Sequence, residues 1–114
     1  MVRTKEEQKT QVRSAMRGGK GDISLRALFS EEEMLGRARL CSVITVEPGC
    51  SIGAHAHDPD FEIYYVLEGE LKMDDNGTER VLRAGDAMLT KNGESHDVEN
   101  RTNKAARLLA IVIN

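Results

Sequence analysis

The stretch GCSIGAHAHDPDFEIYYVLEG, residues 49–69, carries two of the three histidines of a 114-residue chain. His55 and His57 are one residue apart, and Glu62 follows five positions after His57. Successive side chains of a strand point to opposite faces, so an extended segment brings His55 and His57 to the same side. Pro59, between Asp58 and Asp60, restricts the chain at a reversal and predicts a hairpin turn. Glu62 then enters the next strand, from which it can face back across the hairpin towards the two imidazoles. His96, in GDAMLTKNGESHDVEN (85–100), has to arrive at the same point from a later strand of a closed β-sandwich.

Three neutral imidazoles and one carboxylate suit a divalent transition metal, one ion per chain, with Mn, Fe, Ni, Co and Zn all compatible. Such a set leaves one or two coordination positions for substrate or water. A dication with one carboxylate ligand keeps net charge near +1, which favours a small anion, above all a carboxylic acid chelating through two oxygens. Tyr64 lies two residues after Glu62 and shares its face of the strand, which makes its hydroxyl a candidate for contact with substrate. Asp58 and Asp60 are the acids nearest the histidines in sequence and are candidates for a proton shuttle, although aspartates here also simply form turns. Arg26, Arg39 and Lys91 can offer charge to an anion, and each also reads as a solvated surface residue. Cys50 lies near His55, and Cys41 reads as a reduced thiol within a strand. Two cysteines at this spacing give neither a disulfide framework nor a CxxC pair.

Outside the decisive stretch, short β-rich runs dominate. DISLRALF (22–29) alternates in the manner of a half-buried strand, and RLCSVITVE, GELKMD, ERVLR and ARLLAIVI follow as further strands. Asn76-Gly77 is the pair typical of a tight hairpin. Ser30 and Glu33 stand at capping-box spacing ahead of Gly36, predicting one short helical turn. Residues 1–21 lack a period-2 pattern and end in a glycine-rich loop, so they read as an arm or frayed helix, with a single domain over residues 22–114. Many short strands and no long amphipathic helix indicate an all-β sandwich or barrel. A formal charge of −3 and a pI near 5.6 speak against nucleic-acid binding, which needs a basic face. The longest apolar run, Leu108–Ile113, is too short to span a bilayer, and the charged N-terminus lacks the apolar core of a secretory signal. A cytoplasmic protein is expected.

Two spaced motifs carry a resemblance. Gly49, His55, His57, Glu62 and Gly69 fit G-x5-H-x-H-x4-E-x6-G at every position. Gly85, Gly93, His96 and Asn100 fit G-x5-P-x-G-x2-H-x3-N, with Lys91 where proline is usual. Together they resemble the cupin superfamily, and the segments MRGGKG, PGCSIGAHAH, EIYYVLEGE and NGESHDVEN resemble its small, single-domain, oxalate-decarboxylase-like members. The resemblance implies a cupin jelly roll, a metal held by His55, His57, Glu62 and His96, and a homodimer formed by sheet packing or exchange of the N-terminal segment. The implied activities run from decarboxylation or oxidative cleavage of a small carboxylic acid, through dioxygenase or sugar-isomerase chemistry, to non-catalytic metal-dependent binding or sensing.

Overall fold

Alternating burial along most of the strands builds the architecture. In the computed structural model, which describes Met1–Asn114, ten strands form two antiparallel sheets. They are β1 (Thr10–Ser14), β2 (Asp22–Ala27), β3 (Ala38–Val46), β4 (Ser51–Ala56) and β5 (Phe61–Glu68). The remaining five are β6 (Glu70–Asp75), β7 (Thr78–Arg83), β8 (Ala87–Thr90), β9 (Ser95–Glu99) and β10 (Ala106–Ile113). One sheet runs β1-β2-β3-β10-β5-β8, the other β4-β9-β6-β7. All runs read as strands from Asp22 onward are strands here. No helix is long and apolar enough to cross a membrane.

The two inner faces enclose a core from alternate positions: Ile23 and Leu25 of β2, Ile44 and Val46 of β3, Leu71 and Met73 of β6, and Leu108 and Ala110 of β10. Burying one such aliphatic side chain is worth roughly 1.5–3 kcal/mol, so the period-2 pattern fixes which face turns inward. Turn chemistry closes the connections. Asn76 and Gly77 both have positive φ (48° and 98°), as a two-residue β6–β7 hairpin requires. The Ser30–Glu33 capping box forms in both directions, with Ser30 N donating to Glu33 Oε1 and Glu33 N to Ser30 Oγ, although the segment is a hydrogen-bonded turn rather than a helix.

The N-terminal segment is short and irregular. Two 3-10 turns, Lys5–Glu7 and Met16–Gly18, flank β1, which pairs with β2. Arg3 ties its start to the turn ahead of β3, donating to both Glu33 oxygens at 2.7 and 2.6 Å.

The connection through Asp58-Pro59-Asp60 differs from the expected hairpin. β4 belongs to the smaller sheet and β5 to the larger, so this turn carries the chain across the sandwich. Glu62 therefore meets the histidines from the opposite sheet, which is why donors so near in sequence can converge across the interior.

Candidate metal centre

β4, β5 and β9 bring His55, His57, Glu62 and His96 together, with one donor atom of each within 4.8 Å of all the others. His55 and His96 sit directly opposite in the β4–β9 ladder. A bulge between Ile52 and His55 makes this compatible with the core. Ile52 and His55 are an odd number of residues apart and would otherwise face opposite sides; the irregularity lets Ile52 fill the core while His55 enters the cavity. His57 lies just beyond β4, fixed by its N–H to Glu94 O at 3.1 Å and its C=O from Gly93 N at 2.8 Å. Lys91 keeps an N–H that proline would lack, and donates it to Glu94 Oε1 at 3.2 Å to brace this turn.

Each imidazole is held from behind. His55 Nδ1 stands 2.8 Å from Gly53 O, His57 Nδ1 3.1 Å from Asp60 Oδ2, and His96 Nδ1 2.8 Å from Thr90 Oγ1. A carbonyl and a carboxylate can only accept, so His55 and His57 donate through Nδ1 and turn the Nε2 lone pair inward. At the centre, His57 Nε2 and His96 Nε2 each lie 3.0 Å from Glu62 Oε1, and His96 Nε2 lies 3.0 Å from His55 Nε2. Donors about 2.1 Å from one ion and at right angles around it stand about 3.0 Å apart. His57 Nε2 and Glu62 Oε1 are buried without a hydrogen-bond partner. Buried lone pairs aimed at one point are costly unless something positive joins them, and the donor set fits a divalent transition metal.

The electrostatics agree with that geometry. Burial works to raise the Glu62 carboxyl, but the facing imidazoles of His55 and His96 outweigh it and hold the group at about 2. Burial pushes His96 below its ordinary value, against the pull of Glu62, keeping the imidazole neutral for donation. Asp60, opposed by burial but favoured by His57 and Arg39, stays below the usual carboxylate range.

The other sequence candidates separate clearly. Tyr64 is buried and stacks on His96, ring centroids 4.7 Å apart and planes 12° from parallel. Burial and the Glu62 charge push its phenol well above its ordinary value, so it remains protonated. Asp60 sits behind His57 and pairs with Arg39, the position of a group that orients a metal-bound imidazole. Asp58 is exposed in the turn and is absent from the cavity wall. Arg39 lines the cavity, whereas Arg26 lines a separate groove with Arg107 and Lys91 is exposed on its turn. Cys50 packs at the edge of the core and contributes no donor to the cluster, and both cysteines are free.

A cavity of about 280 Å³ opens onto His55, His57, Glu62 and Tyr64. Its remaining wall is apolar, except for Arg13, Arg17 and Arg39. Sequence reading missed Arg13 and Arg17, because nothing in the N-terminal segment places it beside the histidines. Thr90 was also missed; its inward parity on β8 was the available signal.

The cupin-domain family profile matches residues 42–112, a stretch that contains all four clustered donors. The chain belongs to the cupin family. It is 45% identical over 100 residues to the oxalate-binding protein of Thermotoga maritima, covering 88% of this chain and 83% of that one. It is 31% identical over 86 residues to the tetracenomycin polyketide synthase protein TcmJ of Streptomyces glaucescens, covering 75% of this chain and 58% of that protein. A crystal structure of a predicted oxalate decarboxylase from Thermotoga maritima superposes with a TM-score of 0.95 at 42% identity, covering 99% of this cupin and 98% of that chain.

Proposed function

We propose that this cupin binds one divalent transition metal through His55, His57, Glu62 and His96, and through that ion holds a small carboxylic acid. The observation that carries this reading is the convergence of four donors, three buried and His55 half-buried, two of them without any other partner. A bound dication would supply positive charge and open coordination positions for two oxygens of the ligand. The relative named for oxalate binding supports a carboxylate as that ligand.

Binding is favoured over turnover by the make-up of the cavity. Glu62 is its only acid, and that carboxylate is committed to the ion. Asp60 is occupied by His57 and Arg39, so no free carboxyl is left to move a proton. A catalytic reading, decarboxylation or oxidative cleavage, rests on Tyr64, whose protonated hydroxyl belongs to a cavity-lining residue. The deciding experiment is oxalate titration into Mn-loaded protein in air, following heat, formate, CO2 and peroxide. Saturable binding without products supports the carrier or sensor role, and formate with CO2 makes the protein a decarboxylase. Peroxide with CO2 makes it an oxidase. Absence of both binding and turnover overturns oxalate as the ligand.

A homodimer is part of the same reading. Tyr65, Leu67 and Leu89 point outward from β5 and β8 and are 43%, 39% and 46% exposed. A second copy packed on this sheet face would cover them, and sedimentation at micromolar concentration tests it. Two free thiols favour the reducing cytoplasm.

A further inference from the structure

Oxalate has two carboxylates and no carbon between them, yet the cavity beyond the four donors is built for more. Its far wall comes from the N-terminal segment. Arg13 lies opposite Ile23 in the β1–β2 ladder and so shares the inward face of that core residue. Arg17 follows in the second 3-10 turn, and Met16, Leu25, Leu40 and Ile44 lie along the same cavity. Arg39, the third guanidinium, is neutralised by Asp60. Arg13 reaches only the neutral amide of Gln11, at 3.4 Å, and Arg17 has neither a hydrogen-bond nor an ion-pair partner.

Arg17 is also held where an arginine is not normally found. Its φ and ψ are 55° and 29°, in the left-handed region. Residues other than glycine and asparagine adopt that conformation at a cost, and they keep it only where the surroundings enforce it. Here the enforcement is backbone packing against β4. A Cβ on Gly53 would collide with the Arg17 carbonyl, and one on Gly19 with that of Ser51. Lys20 and Ser51 exchange two hydrogen bonds, Lys20 N to Ser51 Oγ at 2.9 Å and Ser51 N to Lys20 O at 2.8 Å. Arg17 lines the same cavity as Tyr64, His55, His57 and Glu62.

We infer that Arg17, assisted by Arg13, receives a second, distal carboxylate of the ligand. The ligand is then a carboxylic acid longer than oxalate. A 2-oxo or 2-hydroxy acid head would chelate the ion, a short carbon chain would lie against Met16, Leu25 and Leu40, and a terminal carboxylate would meet the arginines. Guanidinium and carboxylate match in a bidentate fork, and the cavity of about 280 Å³ has room for such a chain. This inference rests on the metal-chelate reading above.

The test uses Mn-loaded full-length protein and three probes: oxalate, 2-oxoglutarate, and 2-oxopentanoate, which has the same carbon chain without the terminal carboxylate. Calorimetric titration of the wild type is expected to give 2-oxoglutarate at least about a tenfold advantage over 2-oxopentanoate, the scale of one charge-assisted contact. Arg17→Gln should erase most of that advantage and leave oxalate affinity unchanged; Arg13→Gln should erase a smaller part. Circular dichroism and metal content of each variant establish that fold and ion are retained. Equal affinity for the two five-carbon acids, or an Arg17→Gln loss shared by oxalate, overturns the distal subsite and leaves the metal-chelate reading intact. If none of the three probes binds, both fall.

Discussion

Asp60 Oδ2 stands 3.1 Å from His57 Nδ1, on the side of the ring that faces away from the other donors, and the same carboxylate takes the Arg39 guanidinium. Sequence proximity to the histidines makes Asp60 a candidate proton shuttle; its contacts with His57 and Arg39 are those of a brace. It fixes the tautomer of His57 and strengthens the imidazole as a donor. Asp60→Ala is therefore expected to lower metal affinity by about 10- to 100-fold without unfolding the barrel. Competition with a fluorescent chelator measures this, and an affinity equal to wild type would remove the brace from the account.

His57→Ala should lose stoichiometric metal binding altogether while the two sheets still form, since His57 lies beyond the end of β4 and outside the hydrophobic cluster. The wild type should also be stabilised by the ion. At a free metal concentration 100 times Kd the gain is about 2.7 kcal/mol, visible as a rise in Tm that the variant does not share. An equal rise in both proteins would show that the ion binds elsewhere.

Leu108 is fully buried in β10, the strand flanked by β3 and β5 at the middle of the larger sheet. Leu108→Ala leaves a cavity between sheets that cannot close around it, and should cost roughly 2–5 kcal/mol in urea unfolding. A loss below about 1 kcal/mol would mean that the core relaxes far more than its packing implies.

Glu33 offers a pH-dependent contact remote from the metal centre. Its carboxyl is held at about 2, against an ordinary 4.5, first by the Arg3 side chain and then by the Ser30 backbone N–H. A carboxyl with a lowered folded pKa stabilises the fold above 4.5, and that contribution disappears as pH falls from 4.5 towards 2. Amide exchange over residues 3–8 should accelerate within that window, and Glu33→Gln should make the exchange fast at neutral pH as well. Exchange that stays slow in Glu33→Gln would show that other contacts hold the segment.

Much of this was legible before the structure, for identifiable reasons. Inward positions such as Ile23, Leu25, Leu108 and Ala110 announce themselves because a half-buried strand writes its two faces into alternate residues. The four donors were legible because histidine is rare here and its spacing matches strand parity. β1 was not legible: Thr10–Ser14 is an edge strand, exposed at every position, so no burial pattern marks it. The sheet switch between His57 and Glu62 was equally hidden, since a proline turn looks the same whether the chain returns to its own sheet or crosses to the other. The bulge between Ile52 and His55 leaves no trace in composition either. Arg13 and Arg17 stayed out of view for a related reason, their approach to the histidines being long-range backbone packing at Gly19 and Gly53.

That packing divides the labour of the chain. The four clustered donors come after Ser42, within the stretch that the cupin-domain family matches, whereas Arg13, Met16, Arg17 and Leu25 come before it. The proposed grip and the proposed gauge are separate pieces of polypeptide, pressed together at two glycines. If the proposed chelate is right, an engineer could exchange the first hairpin, with the turn that closes it, and so vary which acids fit without altering the four donors.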